Sequence, residues 1–273
     1  MNHGDLNFHR TFPPEREPIG RLLLLADDMS FMTKEEIFSA TGIPTGKSSG
    51  KVIPHIRYAE FMGLLQVERQ RGKLRLRRTR VGEFVAAKDP YLTETVSQLL
   101  CHYHLTSSSG APLWRFVVRE YVRIHGPNVH RADVQRSSQT RFGINVNLSP
   151  FVSCYTRPTS FGSLGLLRVS SDKQTWSFCA HPYHGSLRYL YAYTLLSEWD
   201  QLDSNNPEIT IHDVTQRLQW GAAFCWDSSE VLEVLSGLQD LGAIKLNRQL
   251  EPVTVIRTAD TDMVLERLYT LLD

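Results

Sequence analysis

Gly42, Gly46, Lys47 and Ser48 stand near the front of the run TGIPTGKSSGKVIPHIRYAEFMGLL (41–65), and a glycine-flanked Lys-Ser is what a phosphate-cradling loop is made of. That loop needs four residues between its first glycine and its Gly-Lys-Ser, so that enough amides wrap a triphosphate; only three separate Gly42 from Gly46. It also hangs from a buried strand, whereas the preceding MTKEEIFSAT has the marks of a short helix. Thr33 can cap it, Glu36 holds the capping-box position, and Ile37 and Ala40 are three apart. Helix, glycine turn and basic helix follow one another as in a helix-turn-helix.

A helix over 48–62 places Ser48, Lys51, His55 and Tyr58 on one face and Val52, Ile56, Ala59 and Met62 on the next, the latter packing on the helix at 33–41. Pro54 kinks that helix or marks its start. Beyond it, MGLLQVERQRGKLRLRRT (62–79) alternates Leu65 and Val67 with polar residues, turns at Gly72 and resumes with Leu74 and Leu76, the pattern of a hairpin. Arg69, Arg71, Lys73, Arg75, Arg77, Arg78 and Arg80 give it seven cations with no carboxylate between 69 and 80. In a winged helix this hairpin is the wing along the DNA backbone. Lys47, Ser48, Lys51, Arg69, Arg71, Lys73 and Arg75 are therefore expected to contact phosphates, and His55 and Arg57 to approach base edges.

Other residues have side chains suited to catalysis. His102 and His104 flank Tyr103 like the His pair of metal-dependent nickases, and Tyr189 and Tyr193 are spaced like paired nucleophilic tyrosines. Residues two apart on a helix point about 200° apart, so the two imidazoles do not meet one metal. Cys179, His181 and His184 in FCAHPYHG have ligand types on a loop broken by Pro182 and Gly185; they fit a metal site without its fourth ligand, or structural histidines. For a carboxylate nuclease Asp172 and Lys173 are adjacent rather than spaced. No active site is legible in these motifs.

The elements that must position these residues follow a repeated scheme. Helix, glycine and hairpin recur at LGAIKLNRQLEPVTVIRT (241–258), after a helix over 228–241, and in weaker form at LGLLRVSSDKQTWSF (164–178), where Pro158 interrupts the preceding helix. Between them 89–105, 112–124 and 186–199 have helical periodicity, with turn formers at 106–110 and 203–207. The expected fold class is mainly α with small β-hairpins (α+β): a basic winged-helix DNA-binding domain at 1–90, a mainly helical domain at 91–205, and an acidic winged-helix-like association domain at 206–273. Those segments carry 15 basic and 11 acidic, 10 and 7, and 5 and 11 side chains, so the net charge of +1 conceals a basic front and an acidic back. Met263, Val264, Leu265, Leu268, Leu271 and Leu272 exceed one buried stripe and predict a homodimer through the last domain. Four scattered cysteines and the short longest apolar runs, such as LLLLA (22–26), predict a cytoplasmic protein with reduced thiols and no membrane span.

The runs FHRTFPPERE (8–17) and ATGIPTGKSSGKVIPHIRYAEFMGLL (40–65) resemble the SspB-like family of the bacterial Ssp DNA phosphorothioation system, which places single-stranded phosphorothioates in DNA. The resemblance implies an anti-phage defence role beside a cysteine desulfurase, an ATPase and an ATP-pyrophosphatase. It also implies nicking of double-stranded DNA so that sulfur can be installed. Two readings follow: a modification subunit that binds DNA through 45–80 and nicks it with a divalent cation, Mg or Mn, or a non-catalytic winged-helix adaptor or transcriptional repressor.

Overall fold

The computed structural model describes residues 6–26, 29–46, 50–249 and 251–272, and the chain divides into two compact units, 1–179 and 180–273. The boundary expected at 90 falls inside the first unit and the one at 205 inside the second.

In the first unit α1 (Arg16–Leu25) buries Ile19, Leu22 and Leu23. Next comes α2 (Lys34–Thr41), opened by the capping box: Thr33 Oγ1 accepts from the Glu36 amide at 3.1 Å and Glu36 Oε2 accepts from the Thr33 amide at 2.6 Å. It stops at Gly42, whose φ of 70° a side chain would resist. Helix α3 (Val52–Phe61) starts later than its periodicity suggested, which puts Pro54 in the first turn, where no intrahelical amide is lost. Strands β1 (Leu65–Gln70) and β2 (Lys73–Arg78) pair antiparallel around Arg71 and Gly72, both at positive φ (47° and 78°), as a type I′ turn requires. The helices α4 (Arg80–Lys88) and α5 (Thr95–Thr106) follow, then α6 (Pro112–Arg115), a π-turn at Phe116–Tyr121 and α7 (Val122–His125). Strand β3 (Asn128–His130), α8 (Arg131–Phe142), α9 (Ser149–Thr156), β4 (Leu167–Val169) and β5 (Thr175–Phe178) complete the unit. Pro158 lies beyond α9 and does not break it.

The second unit holds α10 (Arg188–Asp203), β6 (Glu208–Thr210), a π-turn at Asp213–Arg217, a 3-10 turn at Trp220–Phe224, α11 (Ser228–Asp240), β7 (Ile244–Asn247), β8 (Thr254–Arg257) and a short α12 (Thr261–Leu265). Val264, Leu265 and Leu268 are buried in the unit's own core, while Met263 is 58% exposed.

One strand order recurs three times. A leading strand, two or three helical segments and a hairpin follow in sequence, and the leading strand pairs antiparallel with the second hairpin strand. The orders are β3-β5-β4 and β6-β8-β7, and at the front the leading strand shrinks to Met32, which exchanges backbone bonds of 2.9 and 2.8 Å with Leu74 of β2. The middle copy, weakest in sequence, has this order as fully as the last. Each copy buries the apolar alternation of its hairpin, for example Leu65, Leu74 and Leu76 at the front. Trp114 centres the first unit's core, with ring contacts to Phe8, His9, Tyr58 and Phe151, and Trp176 stacks on Phe151 at 5.9 Å. In the second unit Tyr191, Trp220, Phe224 and Trp226 form the core, and Trp220 Nε1 donates to Thr194 Oγ1 at 2.9 Å. No helix among the described residues is long and apolar enough to cross a membrane.

Candidate nucleic-acid interface

Helix α3 is covered on the face expected to read bases. The segment 6–15 lies over it: Phe8 contacts Tyr58 and Phe61, Tyr58 Oη donates to the Phe12 carbonyl at 3.0 Å, and the Glu15 amide donates to His55 Nε2 at 3.3 Å. His55 and Tyr58 are wholly buried. With Nε2 accepting, Nδ1–H is placed to donate to the Lys51 carbonyl at 2.8 Å, the neutral tautomer. Burial lowers the His55 pKa, outweighing the Glu15 carboxylate 3.6 Å away. The base contact expected of His55 is thereby corrected: its imidazole joins arm to helix and presents no edge outward. Lys51, the residue before the helix, is half-buried with Nζ 2.7 Å from Glu15 Oε2 and 5.5 Å above the Phe12 ring. Lys47 and Ser48 lie outside the described residues.

The hairpin spends most of its cations internally. Glu60 of α3 takes Arg57 at 2.9 Å and Arg69 at 2.5 Å, and Arg57 also lies 4.5 Å over Phe61. Glu68, one residue before the carboxylate-free stretch, is opposite Arg75 in the ladder, pairs with it and sits 3.7 Å from Arg77. Arg75 also faces the Phe31 ring at 5.0 Å. Arg78 donates to the Leu23 and Leu24 carbonyls at the end of α1, and Arg80 covers the Phe84 ring at 5.6 Å. What remains is the turn: the side chains of Arg71 and Lys73 are exposed and make no hydrogen bond or ion pair among the described residues, Lys73 acting on Glu36 only at longer range. The register assigned to a two-residue turn would have found Glu68 from the sequence, since it sets 68 against 75. The covering arm had a signal too, the two phenylalanines and two prolines of FHRTFPP.

The remaining chemical candidates serve the fold. His102 Nδ1 is 2.8 Å from Tyr155 Oη, while His104 is held at about 4 by burial and the Arg119 cation, so the two imidazoles have separate surroundings on α5 as helix geometry predicts. Tyr193 is buried, which raises its phenol well above the ordinary value and keeps it from being a ready nucleophile. His181 Nδ1 is 3.0 Å from the Pro182 carbonyl and its own carbonyl accepts from Trp226 Nε1 at 2.6 Å. His184 Nδ1 faces the Ser186 hydroxyl at 2.8 Å and caps the following turn. These histidines therefore do not fit the expected cation site, and among the described residues no three His, Cys, Asp or Glu side chains converge on a point that would hold a metal. No step through a metal is derived.

No family model matches the chain and no curated protein matches it. Two solved structures share its fold: SspB and magnesium ion-bound SspB, each with a TM-score of 0.72 and 18% identity over 97% of this chain and 87% of theirs. The likeness spans both compact units and is one of fold.

Proposed function

We propose that the protein is the DNA-engaging component of a bacterial phosphorothioate-modification system of anti-phage defence, working beside a cysteine desulfurase, an ATPase and an ATP-pyrophosphatase. The observation that carries this is the fold shared with SspB over 97% of the chain. The front copy of the strand–helix–helix–hairpin order acts as a winged helix whose wing tip, Arg71 and Lys73, lies on the phosphate backbone of a duplex. Two exposed cations at the end of a rigid hairpin position a protein on DNA without reading its sequence. Arg57, Arg69 and Arg75 shape the wing through Glu60 and Glu68 instead of meeting phosphate directly.

Nicking of the bound strand is the second half of the proposal, and the magnesium ion carried by one SspB structure supports testing it with that cation. Supercoiled plasmid incubated with purified protein and Mg²⁺ or Mn²⁺ is expected to give open circles, and EDTA to stop it. Plasmid that is retarded on a gel yet stays closed with both cations would leave the adaptor or repressor as the function. Residues 206–273 are assigned to association of two copies, so that two fronts meet one duplex. Leu232 and Met263, 44% and 58% exposed, are the apolar side chains that this assignment uses.

A further inference from the structure

The middle copy of the repeated order, 128–178, leaves one face of its helix α9 open. Helix α9 buries Pro150, Phe151, Cys154 and Tyr155 and turns Ser149, Ser153 and Thr156 outward, at spacings of four and three that share one face. Facing them, the β4–β5 hairpin turns at 170–174 with Lys173 at φ 62°, and the Arg131 amide donates to the Gln174 carbonyl at 2.8 Å, anchoring the start of α8 beside that turn. Between these elements is a cavity of about 650 Å³ whose lining includes Arg131, Ser149, Ser153, Ser171, Lys173 and Trp176 and no carboxylate.

Its charge is one-sided. The segment has six basic and two acidic side chains. Both acids are engaged: Asp172 accepts from Ser170 Oγ at 2.5 Å and the Gln174 amide at 3.0 Å, and Asp133 pairs with Arg136 at 3.2 Å. Arg131, Arg157, Arg168 and Lys173 are exposed and have no side-chain ion pair among the described residues, whereas the front hairpin leaves only Arg71 and Lys73 so. The hydroxyls of Ser149, Ser153 and Ser171 make no hydrogen bond among the described residues and can donate outward. Arg131 also borders an adjoining hollow of about 560 Å³ lined by Arg10, Gln135 and Asn145, again without a carboxylate. Exposed cations, unspent hydroxyl donors and no acid suit a phosphodiester, whose oxygens accept from Arg, Lys and Ser.

We propose that residues 128–178 form a second nucleic-acid surface, in which Arg131, Lys173 and the hydroxyls of Ser149 and Ser153 hold the backbone phosphates of a DNA strand. This rests on the reading of the protein as a DNA binder and places a contact surface in a part of the chain that the front hairpin does not reach in sequence.

The test is the salt dependence of duplex binding by the full chain. Arg131→Ala with Lys173→Ala is expected to reduce the log–log slope by about two units, near 0.9 per lost phosphate contact, and to weaken binding roughly tenfold or more at physiological salt. Arg131→Lys with Lys173→Arg should keep the slope, and Ser153→Glu, which puts a carboxylate in the cavity, should weaken binding without touching either cation. An unchanged slope in the first variant together with unchanged affinity in the third overturns the inference. If Arg71→Ala with Lys73→Ala lowers the slope and the Arg131 and Lys173 pair does not, this inference falls alone. The reverse result removes the front hairpin and leaves this surface standing, and a wild-type protein that binds no DNA ends both.

Discussion

The front hairpin (β1–β2) and the back hairpin (β7–β8) close the same strand order after helical segments, yet they differ in cover and in charge. At the front the leading strand is a single bridge at Met32, the second helix lies under an aromatic arm, and two cations stand clear at the turn. At the back the leading strand pairs over three residues, α11 is capped by Asp227 with Glu230, and Lys245, Arg248 and Arg257 meet an acidic domain; Arg257 is bound to Asp200 and Thr261. The shared topology therefore does not fix the charge a hairpin presents. What distinguishes the two is which charges the tertiary structure leaves unspent, since a phosphate backbone responds to open cations and an isolated surface ion pair adds little to either binding or stability.

The largest expected effect breaks the front at its arm. Phe8 is buried against Tyr58, Phe61 and Trp114, so Phe8→Ala is expected to cost about 3 kcal/mol, read as a lower urea midpoint. A loss under about 1 kcal/mol would mean that the arm does not clamp α3.

Acid should strain the front more than the back. Burial holds His9 at about 4 and lowers His55, and burial with the Arg119 cation holds His104 at about 4; in the second unit His181 is lowered, mainly by burial. Between pH 6.5 and 4 the unfolded chain binds protons that the folded chain refuses, so stability is whole above 6.5 and drains as pH falls, by up to about 3 kcal/mol for His9. Hydrogen exchange at pH 7 and pH 5 should show amides of α3 and α5 losing protection faster than those of α10 and α11. Equal losses in the two units would contradict this, as would a His9→Phe variant with an undiminished pH slope.

For DNA binding, Arg71→Ala with Lys73→Ala should lower the salt slope by about two units, while Lys245→Ala with Arg248→Ala should leave it alone. A drop of equal size from the back pair would erase the distinction between the hairpins. Glu60→Gln sharpens it in the other direction. The change releases Arg57 and Arg69 from their shared carboxylate and should raise the slope by about one unit if either then meets a phosphate. The smallest effect is at the back: Leu232→Asp with Met263→Asp, both exposed, should convert a dimer to a monomer in light scattering with little change in urea midpoint. A wild-type monomer at tens of micromolar would remove the association role.

Local physics made much of this protein legible from its residues. The Thr33 and Glu36 capping box, the stop at Gly42, the hairpins of alternating leucine and valine, the helices at 112–125, 188–203 and 228–240 and the split between basic front and acidic back depend on neighbours within a few positions, and a chain carries those in order. Pairings across long separations decided the rest. Whether α3 faces solvent depended on an arm some forty residues upstream, and whether the front hairpin is open charge depended on Glu60, nine residues before Arg69 and on another element. The histidines of FCAHPYHG looked like ligands because composition cannot tell a side chain aimed at a metal from one beside its own backbone carbonyl or a serine hydroxyl. The middle copy reads only weakly in sequence for the same reason. Its leading strand and its hairpin are separated by α8 and α9 and meet through the ladder pairing of Asn128 with Ser177, Val129 with Trp176 and His130 with Thr175 and through Ser177 Oγ donating to Asn128 Oδ1 at 2.7 Å, which no local pattern records.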